Sequence, residues 1–233
     1  MTLSGRILAR EINCNFACGD LLITLTLSDE IHEQIFRASE LYKQADKLFK
    51  LFYRRISRML YNKGIKIKCI WIAADKDEKT GKPVRLHYHM LLGKDGIDVT
   101  WKDGVCHASI GGKDFSDIWG NGFVNVELLR EQDDYTPVAL YMIRQAVNIP
   151  GVQKWHSSRG MEKPVIESET IVDKPHELRA PGGADVKEVS HYDTDSGSHY
   201  MRYIRRPKGK RPALPDWGEN EQDLKECFEG GPA

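Results

Sequence analysis

The stretch Arg85-Leu86-His87-Tyr88-His89-Met90-Leu91-Leu92 is an apolar run that contains two histidines one residue apart. Because side chains alternate between the two faces of a strand, His87 and His89 project to the same side. Neutral imidazoles are common ligands of divalent transition metals, and a strand holds them in a fixed geometry. The stretch therefore predicts a strand that carries half of a metal site. Two such histidines are also common as plain surface residues, so the neighbouring sequence has to decide.

A hairpin is expected around this strand. Residues 65–74 change from alternating basic and apolar residues to a fully apolar run, and a polar turn over residues 77–83 leads into the histidine stretch. In this hairpin Asp75 ends the first strand close to the histidines, so it is the expected third metal ligand, with Glu78 as the second choice. An acid before a turn is often simply solvated, so this assignment depends on the histidines binding a metal.

The segment before the hairpin adds a strand and a long helix. Residues 21–27 are apolar and β-branched with threonine at alternate positions, which predicts a strand with one hydroxyl-bearing face. Apolar residues recur every three or four positions over residues 31–59, which predicts an amphipathic helix, continuous or in two collinear parts, that ends near Gly64. Lys43 and Lys47 lie in a basic stripe on another face, which is either a solvated surface or a track for phosphates.

The segment after the hairpin predicts a second, local hairpin over residues 93–112, a short helical turn over 114–119 and a strand over 123–129. A further helix is expected to start at Asp133 and Asp134 and to run to Val147. On it Tyr141, Arg144 and Gln145 share a face, because they stand at positions i, i+3 and i+4.

Residues 152–161 mix basic, hydroxyl and aromatic side chains, a composition that suits contacts to the DNA backbone and base stacking. The expected DNA-binding residues of this segment are Lys154, Trp155, Ser158 and Arg159. We expect one domain over residues 1–170 and a partly flexible C-terminal appendage over residues 171–233. The appendage contains a Gly/Ser/Asp-rich stretch over residues 181–199, a basic run and an acidic tail.

Bulk composition narrows the function only weakly. Lys+Arg and Asp+Glu both number 34, so net charge gives no argument for nucleic-acid binding. Nowhere do about 18 apolar residues run together and the start does not resemble a signal peptide, so we expect a cytosolic protein without membrane contact. Five scattered cysteines fit a reducing compartment. No phosphate-binding loop is present, so we expect no nucleotide-hydrolysing motor.

Five stretches in one order resemble the rolling-circle replication initiators of the HUH endonuclease superfamily, of the phage and plasmid type. They are LITLT (22–26), LHYHMLL (86–92), IWGNGFV (118–124), YMIR (141–144) and SRGM (158–161). The resemblance implies an α+β fold with a ferredoxin-like or RNA-recognition-like antiparallel sheet backed by helices, and with the histidines on a central strand. It also implies nicking of single-stranded origin DNA with a Mn²⁺ or Mg²⁺ ion held by His87, His89 and an acid.

The resemblance assigns Tyr141 as the nucleophile that gives a 5′-phosphotyrosine and a free 3′-OH. Many relatives carry Tyr-x-x-Lys-Tyr, whereas here Arg144 stands at the lysine position and Gln145 at the second tyrosine. This departure implies a one-tyrosine mechanism in which Arg144 keeps a positive charge near the phosphate but donates no proton. Tyr135 is a spare tyrosine off the shared helical face. A separate helicase and the replication machinery of a bacterial host cell are the implied partners.

Three other functions stay open at this point. A catalytically inactive, RNA-recognition-like binder of single strands would retain DNA without a covalent adduct. A transposase of the same superfamily would share the chemistry, whereas a conjugative relaxase is disfavoured because its tyrosine usually precedes the histidines. An unrelated metal hydrolase that uses water as its nucleophile would keep its cleavage activity after the loss of the Tyr141 hydroxyl.

Overall fold

A computed structural model of the chain describes residues 2–37, 41–149, 153–165, 179–180, 182–189 and 201–204. Contacts divide the chain into two compact units, Met1–Val165 and Ile166–Ala233. The first unit is α+β, with helices packed on an antiparallel sheet. Its elements are α1 (Leu3–Asn15), β1 (Leu21–Leu27), α2 (Asp29–Arg37), α3 (Leu41–Asn62), β2 (Cys69–Lys76), β3 (Pro83–Leu92), β4 (Asp98–Lys102), β5 (Val105–Ile110), β6 (Lys113–Asp114), α4 (Phe115–Trp119), β7 (Gly122–Leu128), α5 (Thr136–Gln145) and β8 (His156–Ser157).

The main sheet has five strands in the order β7-β1-β3-β2-β8, and each neighbouring pair is antiparallel. The histidine strand β3 is therefore the middle strand. Its register with β1 places Thr24 opposite His89 and Thr26 opposite His87. On the other side of β1, Phe123 of β7 lies opposite Thr26. A row of side chains from Phe123 through Thr26 to His87 thus crosses three strands on one face of the sheet.

Each face of the sheet is covered by a separate core. One face packs against α3, whose buried residues are Ala45, Phe49, Phe52, Ile56 and Leu60. The other face packs against α1 and α5, which bury Leu8, Ile12, Ala139 and Met142. Tyr88 and Met90 of β3 belong to the α3 core. Because strand side chains alternate, His87 and His89 project to the face that α1 and α5 cover.

Most elements expected from the sequence are present, with changed boundaries. The strand at residues 21–27, the β2–β3 hairpin and β7 are confirmed. The long helix is two helices, α2 and α3, and α5 ends at Gln145 rather than Val147. Helix α1 has no counterpart among the expected elements. It begins after Thr2, whose hydroxyl accepts a hydrogen bond from the Gly5 N–H at 3.2 Å, as an N-cap does.

The smaller elements lie outside the main sheet. Strands β4, β5 and β6 form a second antiparallel sheet. In the second unit, β9 (Asp185–Val189) and β10 (Met201–Ile204) form an antiparallel pair. Most of the stretch over residues 181–199 and of the basic run after it lies outside the described residues. Within the described ranges, none of the helices has the length and apolar character needed to cross a membrane.

Gly122 is required where β7 begins beside β1. Its φ is 148°, and a Cβ at this position would lie 2.1 Å from the Thr26 carbonyl oxygen. We expect Gly122→Ala to lower the free energy of unfolding by more than about 2 kcal/mol, because it adds backbone strain to a clash with backbone atoms. Urea unfolding measures this loss.

Gly104→Ala is the matched control for that substitution. Gly104 also has a positive φ, 74°, in the turn between β4 and β5, but nothing lies within 4 Å of an added Cβ. Alanine there carries the strain of its backbone conformation alone, about 1 kcal/mol. If both variants lost the same free energy of unfolding, the close approach of β7 to β1 would not be the reason that glycine is required at position 122.

Candidate active site

The two histidines of β3 direct one nitrogen each to the same point. His87 Nε2 and His89 Nε2 are 3.1 Å apart. The rings are nearly perpendicular, at 88°, with centroids 4.7 Å apart. His89 is 1% exposed, whereas His87 is partly exposed. The pair therefore has one candidate ligand nitrogen buried inside the protein and one near the surface.

The other ring nitrogen of each histidine, Nδ1, also has a hydrogen-bond partner. His87 Nδ1 lies 2.8 Å from the Arg85 carbonyl oxygen, which only accepts, so Nδ1 carries the proton and Nε2 the lone pair. Thr24 Oγ1 lies 3.0 Å from His89 Nδ1 and orients that ring. Burial, followed by the neighbouring His87, lowers the pKa of His89 to about 4, although a hydrogen bond that the ring donates to Gln145 Oε1 raises it. The Nε2 lone pair of His87 is thus free to bind a metal, and His89 is neutral at pH 7.

The donor set of this site fits a divalent cation. Two nitrogen donors bound at about 2.1 Å to adjacent positions of one ion lie about 3 Å apart. The 3.1 Å between the two Nε2 atoms agrees with this spacing. Gln145 Oε1 could serve as a third ligand atom for the metal, because it lies 3.4 Å from His89 Nε2. The Gln145 amide nitrogen donates to the Tyr141 carbonyl oxygen at 3.1 Å, which turns the amide oxygen toward the histidine.

The two acids predicted as ligands do not join the histidine pair in this structure. Asp75 follows Ala74, which lies opposite His87, and the register shifts at this point. Asp75 Oδ1 is buried and has no hydrogen-bond partner among the described residues. Glu78 accepts a hydrogen bond from Arg144 at 3.2 Å. No group of three or more His, Cys, Asp or Glu side chains in the described part of the chain is placed to hold a metal ion.

Tyr141 lies beside the histidine pair. Its ring is half-buried, and its centroid is 5.0 Å from that of the His89 ring. Helix α5 is fixed to β2 directly after its last turn, where Ala146 forms a β-bridge with Ala74 and the Val147 N–H donates to the Ala73 carbonyl oxygen at 2.9 Å. The structure thus brings the predicted nucleophile to the face of the sheet that carries the predicted ligands.

Tyr135 has a different environment. It is 6% exposed, and its hydroxyl donates to the Arg130 carbonyl oxygen at 3.1 Å. Burial, followed by the nearby Cys18 and Asp20, raises the pKa of Tyr135 to about 12. A buried phenol that is already bonded and difficult to ionise is a poor nucleophile, so the geometry favours Tyr141.

The predicted DNA-binding residues of the 152–161 segment divide into two kinds. Trp155 Nε1 donates to Glu11 at 3.0 Å, and the buried Ser158 accepts from the Cys69 N–H at 3.0 Å. Both side chains therefore have partners within the protein. The other two, Lys154 and Arg159, are exposed.

The remaining predicted cations lie on different sides of the molecule. Lys43 and Lys47 are exposed on α3, which packs on the face of the sheet opposite to the histidines. Arg144 is exposed on α5, next to Gln145, where it forms its ion pair with Glu78. The structure thus places Arg144 near the histidine face and does not bring the two lysines there.

Comparison with known proteins gives the family. A family model that describes replication-associated proteins of the ORF2 type matches residues 20–146, which is more than half of the 233 residues. The chain belongs to this family. The matched part of this replication-associated protein includes the histidine pair, Tyr141, Arg144 and Gln145. Neither a curated protein nor a solved structure matches the chain significantly.

Two residues of this replication-associated protein's site, Thr24 and Gln145, were absent from the predicted site. Gln145 stands four residues after Tyr141, and this spacing already placed it on the nucleophile's face of the helix. Thr24 belonged to the hydroxyl-bearing face of β1, but its contact with His89 depends on the register between β1 and β3. Helical spacing was therefore a usable signal for Gln145, whereas the strand pattern alone could not identify Thr24.

Proposed function

We propose that this protein is a metal-dependent, site-specific single-stranded DNA endonuclease and strand transferase that nicks an origin to start rolling-circle replication of a phage or plasmid. The observation that carries the proposal is the Tyr141 ring, 5.0 Å from His89 in a pair whose Nε2 atoms are 3.1 Å apart. Membership of a replication-associated family supports it. The strand order β7-β1-β3-β2 agrees with the ferredoxin-like fold that the resemblance implies.

The reaction needs an aligned nucleophile and stabilisation of the charge that develops on the phosphate. His87, His89 and an oxygen ligand would hold a Mn²⁺ or Mg²⁺ ion, which would supply this stabilisation as a Lewis acid. The Tyr141 oxygen bonds to phosphorus while the bond from phosphorus to the 3′ oxygen breaks. The products are a 5′-phosphotyrosine and a free 3′-OH. Because one ester replaces another, attack by a 3′-OH in the reverse direction rejoins the strand.

Positive charge for the DNA comes from residues outside the metal site. Arg144 is exposed beside the site, and its ion pair with the partly exposed Glu78 is of a kind that contributes about 0–1 kcal/mol. The arginine can therefore exchange this partner for a phosphate at little cost. Lys154 and Arg159 are the further phosphate contacts that we propose. The absence of a phosphate-binding loop from the sequence implies a separate helicase.

Gln145 and Asp75 are the two candidates for the oxygen ligand. Gln145 has an oxygen near the pair, whereas Asp75 has a buried oxygen without a partner in the described structure. We favour Gln145. Gln145→Leu is expected to weaken Mn²⁺ binding at least about tenfold, and Gln145→Glu, which keeps an oxygen donor, to restore it. Isothermal titration calorimetry measures both affinities.

Asp75→Asn is the matched test of the alternative ligand. It keeps the size of the side chain and removes its charge, so it should leave Mn²⁺ affinity within a few-fold if Gln145 is the ligand. A large loss in Asp75→Asn together with wild-type affinity in Gln145→Leu would assign the ligand to Asp75.

The proposed activity is tested with single strands tiled across the replicon that encodes the protein. With Mn²⁺ or Mg²⁺, one strand should give a protein–DNA band that survives denaturing electrophoresis, and EDTA should remove it. Retention of DNA without such a band on any strand would favour the inactive binder. Cleavage without a covalent band would favour a hydrolase that uses water. A transposase would instead cut at the ends of a mobile element.

A further inference from the structure

Phe123 is an exposed aromatic residue on the face of the sheet that carries the histidines. Its side chain is 71% exposed, on the edge strand β7. It lies directly opposite Thr26, which lies opposite His87. Since neighbouring strands are about 5 Å apart, the backbone of Phe123 is about 10 Å from that of His87. The proposed metal site and the phenyl ring are thus in one row across the sheet.

The surface between Phe123 and the histidines is polar. Thr24 and Thr26 of β1 are partly exposed there, and Asn125 is the next residue of β7 on this face. An exposed phenylalanine among small polar residues does not form the broad apolar patch that a protein partner typically covers. A single planar ring suits a single planar base, since aromatic side chains bind bases by stacking.

The backbone around Phe123 is held rigidly against β1. Gly122 approaches the Thr26 carbonyl group so closely that a Cβ would clash with it. The same carbonyl oxygen accepts a hydrogen bond from Trp119 Nε1 at 3.2 Å, and the Ser28 N–H donates to the Asn121 carbonyl oxygen at 2.8 Å. The backbone that carries the ring is therefore fixed before a ligand arrives, which lowers the entropy cost of binding.

Charge near this row suits a nucleic acid strand. Arg85 precedes His87 by two residues on β3, so its side chain starts from the same face. Its guanidinium group forms an ion pair with Asp29, and both side chains are exposed. The group also donates to the Leu27 carbonyl oxygen at 3.3 Å, but an exposed ion pair of this kind is weak, so Arg85 can exchange Asp29 for a phosphate.

We propose that Phe123 is the platform on which a base of the DNA single strand stacks, a few nucleotides from the phosphate that Tyr141 attacks. This inference rests on the proposed function, because it takes the row from Phe123 to His87 as the path of the DNA. Base stacking tolerates any sequence, so Phe123 contributes affinity and positions the strand without selecting the origin.

Binding is measured in the Tyr141→Phe background, which cannot form the adduct, with a 5′-fluorescein oligothymidylate of about 20 nucleotides and fluorescence anisotropy. Phe123→Ala should weaken binding by roughly 5- to 100-fold, and Phe123→Trp should restore it, because only a flat aromatic ring is needed. The slope of log affinity against log salt should not change, since no phosphate contact is lost. Tyr61→Ala, which removes a tyrosine 78% exposed on α3, should bind as the parent does.

The proposal would be overturned if Phe123→Ala bound the oligothymidylate as tightly as the Tyr141→Phe parent does. It would also be overturned if Tyr61→Ala lost as much affinity as Phe123→Ala, or if the parent showed no measurable binding. Failure of the proposed function is distinguishable from these results. It would appear as binding that depends on Phe123 together with no covalent adduct from the wild-type protein on any strand.

Discussion

Replacing Tyr141 by phenylalanine is expected to reduce formation of the covalent DNA adduct at least about a thousandfold, because the variant lacks the only atom that we propose to attack phosphorus. The substitution keeps the ring that lies 5.0 Å from the His89 ring, so the fold and Mn²⁺ binding should stay intact. Denaturing electrophoresis of radiolabelled DNA measures the adduct. Circular dichroism and calorimetry verify the fold and the metal site in the same preparation.

Tyr135→Phe is the matched control for that experiment. It removes a hydroxyl from the N-cap residue of the same helix, at the cost of the hydrogen bond to the Arg130 carbonyl oxygen, about 1 kcal/mol of stability. Adduct formation should continue at the wild-type rate. If the adduct persisted in Tyr141→Phe and disappeared in Tyr135→Phe, the nucleophile would be Tyr135.

The double variant His87→Ala/His89→Ala is expected to lose more than about a hundredfold in Mn²⁺ affinity and to form no adduct. In the wild-type protein, His87 and His89 carry the only imidazole nitrogens at the proposed metal site among the described residues. Calorimetry measures the affinity, and the tiled-strand assay measures the adduct. Because His89 is buried, binding of oligothymidylate through Phe123 should be measured as well, to establish that the variant is folded.

His107→Ala is the control for the histidine variant. His107 lies on β5, outside the main sheet, where it pairs with Asp114 at 3.4 Å. Its loss should leave Mn²⁺ affinity and adduct formation unchanged. Wild-type Mn²⁺ affinity in the double variant, or metal-dependent cleavage by it, would contradict the assignment of the ligands.

The sequence predicts the elements of this site well because they depend on local patterns. Strand alternation placed His87 and His89 on one side of β3, and helical spacing placed Tyr141 and Gln145 on one face of α5. The order of the motifs led to the rolling-circle replication initiators, and the match to a family of replication-associated proteins confirms that the chain is a replication protein. These inferences need no knowledge of how distant segments pack.

The remaining details depend on register and on packing between distant segments. Asp75 was expected near the histidines from an ideal hairpin, but the pairing of β2 with β3 shifts between Ala74 and Lys76. Lys43 and Lys47 were correctly assigned to a helix surface, yet the face of the sheet on which that helix packs is not encoded locally. Composition likewise could not indicate that Trp155 has a hydrogen-bond partner in a distant helix.

The most direct test of the account is to identify the residue that carries the DNA. The adduct from the wild-type protein would be digested with protease and nuclease, and the peptide that retains a nucleotide would be sequenced by mass spectrometry. The account predicts a nucleotide joined through its 5′-phosphate to Tyr141. A nucleotide on any other residue, or cut DNA with no nucleotide on the protein, would contradict it.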